Sequence, residues 1–168
     1  INQMLNEMKS WRQDLHKIPE IGLEEYETSK YIKNKLKEFN INFKEGYSNT
    51  GLVAWVKGNK GNSNKSIGLR ADFDALPMPE KNNFDHKSTK DGMMHACGHD
   101  GHTSMLLGAA KYVSENNNFD GIVYFIFQPG EEGFAGGKKM IEDGLFEDFS
   151  IDEVYALHNW PELPLGSF

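Results

Sequence analysis

Apolar residues near the start of the chain recur at steps of three and four. Met4, Met8, Trp11, Leu15 and Ile18 form one stripe, which predicts a helix ending near Pro19. Ile32, Leu36 and Phe39 predict the inner face of a second helix over Glu24 to Phe39, with Lys and Glu outward. TGLVAWVKG (Thr50 to Gly58) has the composition of a strand. The Gly- and Asn-rich KGNKGNSNKS that overlaps its end (Lys57 to Ser66) predicts a hairpin loop. SIGLRADFDAL (Ser66 to Leu76) begins as a strand and ends in acids. HTSMLLGAAKYVSEN (His102 to Asn116) predicts a helix, and GIVYFIFQPG (Gly121 to Gly130) is a continuous apolar run suited to a strand covered on both faces. GGKKMIEDG (Gly136 to Gly144) suits a short helix, and DEVYALHNWP (Asp152 to Pro161) a further buried strand.

Strands alternating with helices predict an α/β class fold, here a three-layer α/β/α sandwich with a mostly parallel mixed sheet. In such sheets ligands bind beyond the carboxyl ends of the strands. The polar residues of interest fall there: Asp72 and Asp74 after one apolar run, Glu131 and Glu132 after another, His158 after a third.

Composition narrows the classes. The 168 residues suffice for one domain with a core. A net charge of -7 argues against nucleic acid as the main partner, because phosphate binding needs a basic surface. The single cysteine cannot form an internal disulfide, and a reducing cytoplasm is the expected compartment. No leader is expected in INQMLNEMKSWRQDL, and no apolar run reaches the roughly 20 residues of a membrane span.

The chemistry concentrates in MHACGHDGHT, Met94 to Thr103, which holds the one cysteine and three of the six histidines. Cys97 and His99, two apart before a helix, can aim thiolate and imidazole at one centre. Together with one of Glu131 and Glu132, and with His158, they make a mixed S/N/O donor set. Such a set suits a catalytic ion with an open position better than a closed, Cys-rich structural site. The carboxylate not bound could take a proton from water that the cation has made nucleophilic. Taken singly, each residue has a plainer role: Cys97 a small buried apolar group, Glu131 and Glu132 solvated surface, His158 a hydrogen-bonded structural group. Likewise His95 and His102 could cap or pack the following helix, and Asp72 and Asp74 could be turn formers. HExxH, P-loop, GxSxG and GxGxxG motifs are absent.

Five blocks carry a resemblance. RQDLHKIPEIGLEEYETS, LRADFDALPMPE, MMHACGHDGHTSMLLGAA, FIFQPGEEGFAGGKKMIEDGLFE and ALHNWPELPLG resemble, in order, blocks of the metal-dependent amidohydrolases. This is the aminoacylase, hippurate hydrolase and indole-acetyl-amino-acid hydrolase group of the metallo-carboxypeptidase/aminoacylase superfamily. The resemblance implies two divalent ions per full-length subunit, zinc or manganese first, with cobalt or nickel also compatible. It implies Cys97 as the bridging ligand, His99 and His158 on one ion, Glu132 on the other, Glu131 as general base and then acid, and Asp74 as an orienter behind the site. Asp72 stands where wider relatives have a metal-binding His, and His99 takes over that role. The substrate class implied is an N-acyl amino acid, with a dipeptide (dipeptidase or carboxypeptidase action) as the alternative on the same centre.

Phe73, Pro79, Gly130 and Asn159 depart from the residues usual in those blocks (Met, Gln, Ala and Val), and none is an expected ligand. The family's chain is more than twice as long. The sequence is therefore read as the N-terminal portion of a catalytic domain, first half of a zinc-peptidase-like fold, without the lid and dimerisation domain through which the full protein would form a homo-oligomer. Two other readings compete: a thiol hydrolase using Cys97 as nucleophile, and an inactive metal-binding fragment.

Overall fold

The computed structural model describes residues 4–167. Residues 1–3, part of the stretch read as lacking a leader, and residue 168 lie outside the described residues. The elements run α1 (Leu5–His16), α2 (Tyr26–Glu38), β1 (Asn42–Tyr47), β2 (Gly51–Lys57), β3 (Ser66–Asp72), α3 (His99–Glu115), β4 (Ile122–Gln128), α4 (Glu131–Phe134), α5 (Gly136–Glu142), α6 (Leu145–Asp148) and β5 (Glu153–Ala156). Among the described residues no helix is long and apolar enough to cross a membrane.

The five strands form one sheet in the order β1-β2-β4-β3-β5. β4 is central, and its alternate side chains feed two cores. Phe125 and Phe127 join Trp11, Ile32, Leu36, Leu52 and Leu107 under α1, α2 and α3. Tyr124 and Ile126 join Val53, Met140, Leu145 and Phe149 under α5 and α6. The three-layer α/β/α sandwich is thus observed, and the uninterrupted apolar run of β4 follows from burial on both faces.

The sheet is mixed, as expected: β3 runs parallel to β4 and β5, whereas β2 is antiparallel to β1 and β4. Two expectations need correction. The segment from Lys57 to Ser66 is not a hairpin, because β4 lies between β2 and β3. The most apolar strand takes the central position, and the polar loop passes over its end. The strand after Asp152 is exposed, not buried, since β5 sits at the edge of the sheet and, among the described residues, has β3 as its only strand neighbour. The sequence reading also assigned nothing to β1, a largely exposed and polar edge strand interrupted by a bulge at Gly46.

The long connection from β3 to α3 carries Cys97 and has no helix. Side chains pin it instead. His16 at the end of α1 reaches Asp100 (Nδ1 to Oδ2, 2.7 Å) and Glu80 (Nε2 to Oε1, 3.1 Å), and Arg12 Nε also reaches Asp100 (2.8 Å). A histidine between two carboxylates must donate from both nitrogens, which favours the imidazolium. Hydrogen bonding to Asp100, with help from Glu80, raises the His16 pKa above 6.5 against burial and the Arg12 charge. The groups around it are Arg12, Glu80, His86, Asp100 and the buried ring of His95.

The stabilisation from protonated His16 is present below 6.5 and is lost as pH rises through the raised folded value. At low pH it fades as Glu80 and Asp100, both held below the usual carboxylate range, take up protons. The melting-temperature deficit of His16→Gln relative to the parent should therefore be largest near about pH 5.5 and smaller toward about pH 9. A deficit that stays flat between those values would remove His16 as the titrating link.

Candidate metal centre

Parallel pairing sets the carboxyl ends of β3, β4 and β5 at one rim, with Asp72 opposite Gln128 and Arg70 opposite Ala156. The chain leaves each strand with chemistry on it: Asp72 and Asp74 after β3, Glu131 and Glu132 after β4, His158 after β5. α3 points its N-terminus at the same rim. It begins at His99, one turn earlier than the predicted His102, because Gly98 takes a left-handed φ of 97° and turns the chain into the helix. A Cβ there would also stand 2.3 Å from Asn159 Oδ1, so a side chain at Gly98 would both strain the backbone and push the Asn159 amide aside. The earlier start puts His99 and His102 three apart on one helical face, with ring centroids 5.4 Å from each other.

Two overlapping groups of metal-compatible atoms result, each spanning no more than 4.8 Å: Cys97, His99 and Glu132, and Asp72, His99, His102 and His158. His99 belongs to both and is fully buried. Its Nδ1 lies 3.1 Å from Asp74 Oδ1 and 3.0 Å from the Asp74 carbonyl oxygen, two acceptors that fix the proton on Nδ1. Nε2 is left with a lone pair and no hydrogen-bond partner. It faces Asp72 Oδ1 at 3.8 Å and Glu131 Oε2 and Glu132 Oε1 at 3.9 Å. Asp74 also accepts the Glu132 backbone N–H on Oδ2 at 2.8 Å, so one carboxylate sets both the imidazole and the acidic turn. His158 Nε2 comes within 3.5 Å of Cys97 Sγ from the exposed side of the rim.

The electrostatics describe a pocket short of positive charge. Burial and the surrounding Glu132, Asp72 and Glu131 carboxylates push the Cys97 thiol up to about 12. Burial opposes a charge on His99, yet Asp74, Asp72 and Glu132 outweigh it and raise the pKa. Burial also works against ionised Asp72, but His102, His99 and Arg70 hold it at about 2. A buried imidazole nitrogen with an unused lone pair, ringed by carboxylates and a thiol, is what a divalent cation needs and what little else satisfies. The residues present fit a metal centre.

All six residues singled out from the sequence converge on this rim. Cys97, His99 and Glu132 form one group, His158 closes on Cys97, Glu131 lies at its open side, and Asp74 lies beneath His99. Two further residues belong to the rim that are not expected ligands from the sequence. His102 suits a helix cap or packing group and Asp72 a turn former, yet His102 Nδ1 meets Asp72 Oδ1 at 2.7 Å and its ring lies 4.5 Å from that of His158. The other ring nitrogen of His102 meets Asn159 Oδ1 at 2.6 Å, which gives the unusual Asn159 a place at the site. The i, i+3 spacing of His99 and His102 was the available signal, but it means something only once the helix is known to start at His99.

Residues 68–168 match the profile of Peptidase family M20/M25/M40. The chain is 50% identical over 161 residues to a hippurate hydrolase of Campylobacter jejuni, covering 96% of this chain and 41% of that protein. It is 46% identical to an N-acetyldiaminopimelate deacetylase of Lactobacillus helveticus, covering 96% of this chain and 43% of that protein. Among solved structures it resembles a Bacillus subtilis protein described as a dinuclear metal binding peptidase from the M20 family. The TM-score is 0.91 at 38% identity, over 98% of this chain and 45% of the other. The chain thus spans less than half the length of these relatives. With the profile matching more than half of the chain, and the matched residues including every member of the rim, the chain belongs to peptidase family M20/M25/M40.

Proposed function

We propose that the protein is a metal-dependent amide hydrolase acting on N-acyl amino acids. One observation carries the reading: the buried His99 Nε2, oriented by Asp74 and left without a partner among carboxylates and a thiol. In this reading Cys97, His99, Glu132 and His158 would hold the divalent ions. The S/N/O donor set suits zinc, manganese, cobalt or nickel. When bound, the ions supply Lewis acidity that makes water nucleophilic near neutral pH and offsets charge developing on the acyl oxygen.

The chain's own groups do the rest. Glu131, with its carboxylate at the open side of the rim, takes the proton of the attacking water on Oε2 and delivers it to the nitrogen of the departing amino acid. Asp74 holds the His99 proton on Nδ1, keeping Nε2 free as a donor. His102, tied to Asp72, packs its ring beside that of His158. The relatives' names point to acyl groups such as benzoyl and acetyl on amino-acid nitrogen.

The test is hydrolysis of N-benzoyl and N-acetyl amino acids by the intact protein, before and after chelation, with elemental mass spectrometry of the gel-filtered protein. Activity lost on chelation and restored by one of the four metals is the expected result. Hydrolysis that survives chelation and dies on thiol alkylation would instead make Cys97 a nucleophile. Asp74→Asn should weaken metal affinity by about 10- to 100-fold, because the amide can present its NH2 to His99 and upset the tautomer. Unchanged affinity, by competition with a chromogenic chelator, would remove Asp74 from the centre.

A further inference from the structure

One buried acid takes no part in the chemistry above. Glu25 stands at the N-cap position of α2 and is wholly inaccessible to solvent. Burial raises its pKa, and hydrogen bonds, from the Thr50 hydroxyl first, oppose the rise. A carboxyl group in such a place is costly to keep unless its oxygens are used. Both are. Oε2 accepts the Thr50 hydroxyl at 2.6 Å, and Oε1 accepts the Gly130 backbone N–H at 2.9 Å.

Gly130 is the residue from which the Glu131–Glu132 turn springs, and its φ is 57°. A glycine has no side chain to choose among its backbone basins, so its conformation must be fixed from outside. The segment before Glu25 supplies further contacts. A Cβ on Gly22 would lie 2.7 Å from Gly130 Cα and 2.5 Å from Phe134 Cδ2, which shows how closely the two backbones approach. Leu23 Cδ2 bounds the other side of Gly130. Glu20 accepts the Ala75 N–H on its carbonyl at 2.8 Å, and Ile21 forms a parallel bridge with Ala75. One short segment, 20–25, therefore touches the residue after Asp74 and the residue before Glu131.

We propose that Glu25 is a positioning residue for Glu131: its carboxyl group holds the Gly130 amide and so fixes the turn that presents the acidic pair to the rim. The proposal rests on the reading of Glu131 as the proton carrier. Segment 20–25 acts as a buttress that sets the spacing between the Asp74 strand end and the Glu131 turn.

The test compares Glu25→Leu, Glu25→Gln and Glu131→Gln in the intact protein. Leucine fills a similar volume but accepts no hydrogen bond, whereas glutamine keeps an acceptor for Gly130. In Glu25→Leu, hydrogen–deuterium exchange in the peptide 126–132 should quicken about tenfold while peptides of α1 and α3 exchange as in the parent. Its kcat should fall about 10- to 100-fold with KM within about threefold, the signature of a misplaced group rather than lost binding. Glu25→Gln should restore both. A uniform rise in exchange across the chain, or kcat within about threefold of the parent in Glu25→Leu, would overturn the proposal. So would a Glu25→Gln variant with kcat more than about tenfold below the parent or with quickened exchange in 126–132, and that arm decides even if the leucine variant does not fold. An active Glu131→Gln enzyme would remove the proton-carrier reading alone, and exchange in 126–132 would then still decide whether Glu25 fixes the turn.

Discussion

Glu131→Gln is expected to lower kcat by about 10²- to 10⁴-fold, the range that general acid–base catalysis contributes. That corresponds to about 3–5 kcal/mol of barrier. The amide fills the same space, so the turn and its bonds from Asp74 and Glu25 should persist. It cannot, however, take a proton from water. Because Glu131 is proposed to move protons and not to hold an ion, the variant should keep the parent's metal content. KM should change little, since the side chain is spent on the reacting water and the leaving nitrogen. The measurement is steady-state hydrolysis of an N-acyl amino acid with elemental analysis of the same sample. A variant that loses metal along with activity would make Glu131 a ligand and return the base to Glu132 or to another group.

Cys97→Ala is expected to have the second large effect, on metal rather than on proton transfer. The thiol belongs to the Cys97, His99 and Glu132 group and also touches His158, so its removal takes a donor from the proposed centre. Affinity should fall by more than about 100-fold, beyond what loss of a supporting residue costs. The dependence on pH gives a sharper check. Without an ion, burial and the neighbouring carboxylates push the thiol up to about 12, so it carries its proton at neutral pH. An ion bound to the thiolate must displace that proton, and affinity must therefore rise with pH. The parent's log affinity should climb with pH about one unit per unit more steeply than that of Cys97→Ala. Equal slopes would mean that the thiolate is not a ligand, and Cys97 would then be a small buried group at the rim.

In the proposed reading, proton transfer and metal binding fall to two adjacent glutamates, Glu131 and Glu132. Glu132 is held by its backbone N–H on Asp74 and is drawn under His99, whereas Glu131 remains more open to solvent. The non-helical geometry at Glu132 and the positive φ at Gly133 break the short helix and let neighbouring side chains diverge.

Much of the layer architecture was readable from periodicity. The stripes of α1 and α2 and the apolar run of β4 each have one compact solution: a helix face or a strand covered on both sides. The rim could also be anticipated, because acids and histidines followed three apolar runs. The order of strands could not. Lys57 to Ser66 has the composition of a tight turn, and only competition among strands for the central place makes it a crossing loop. β1 gave no signal, since a polar edge strand is defined by its partner rather than by its own residues. The burial of β5 was misjudged for the converse reason: an apolar run states what could be covered, not what is.

The sequence by itself determined the donor inventory. One thiol, a cluster of histidines and a pair of adjacent glutamates are local facts, as is the order of the motif blocks, and they survive any rearrangement of the chain. Only the tertiary structure decided which nitrogen of His99 is free, because its tautomer depends on Asp74, 25 residues away in sequence. Only the tertiary structure brought Asp72 and His102 into the site, and only it gave Glu25 and the Gly130 amide to each other across 105 residues. Hydrogen-bond partnership is a matter of ångströms, and no pattern along the chain encodes distances between segments that meet only when the sheet has formed.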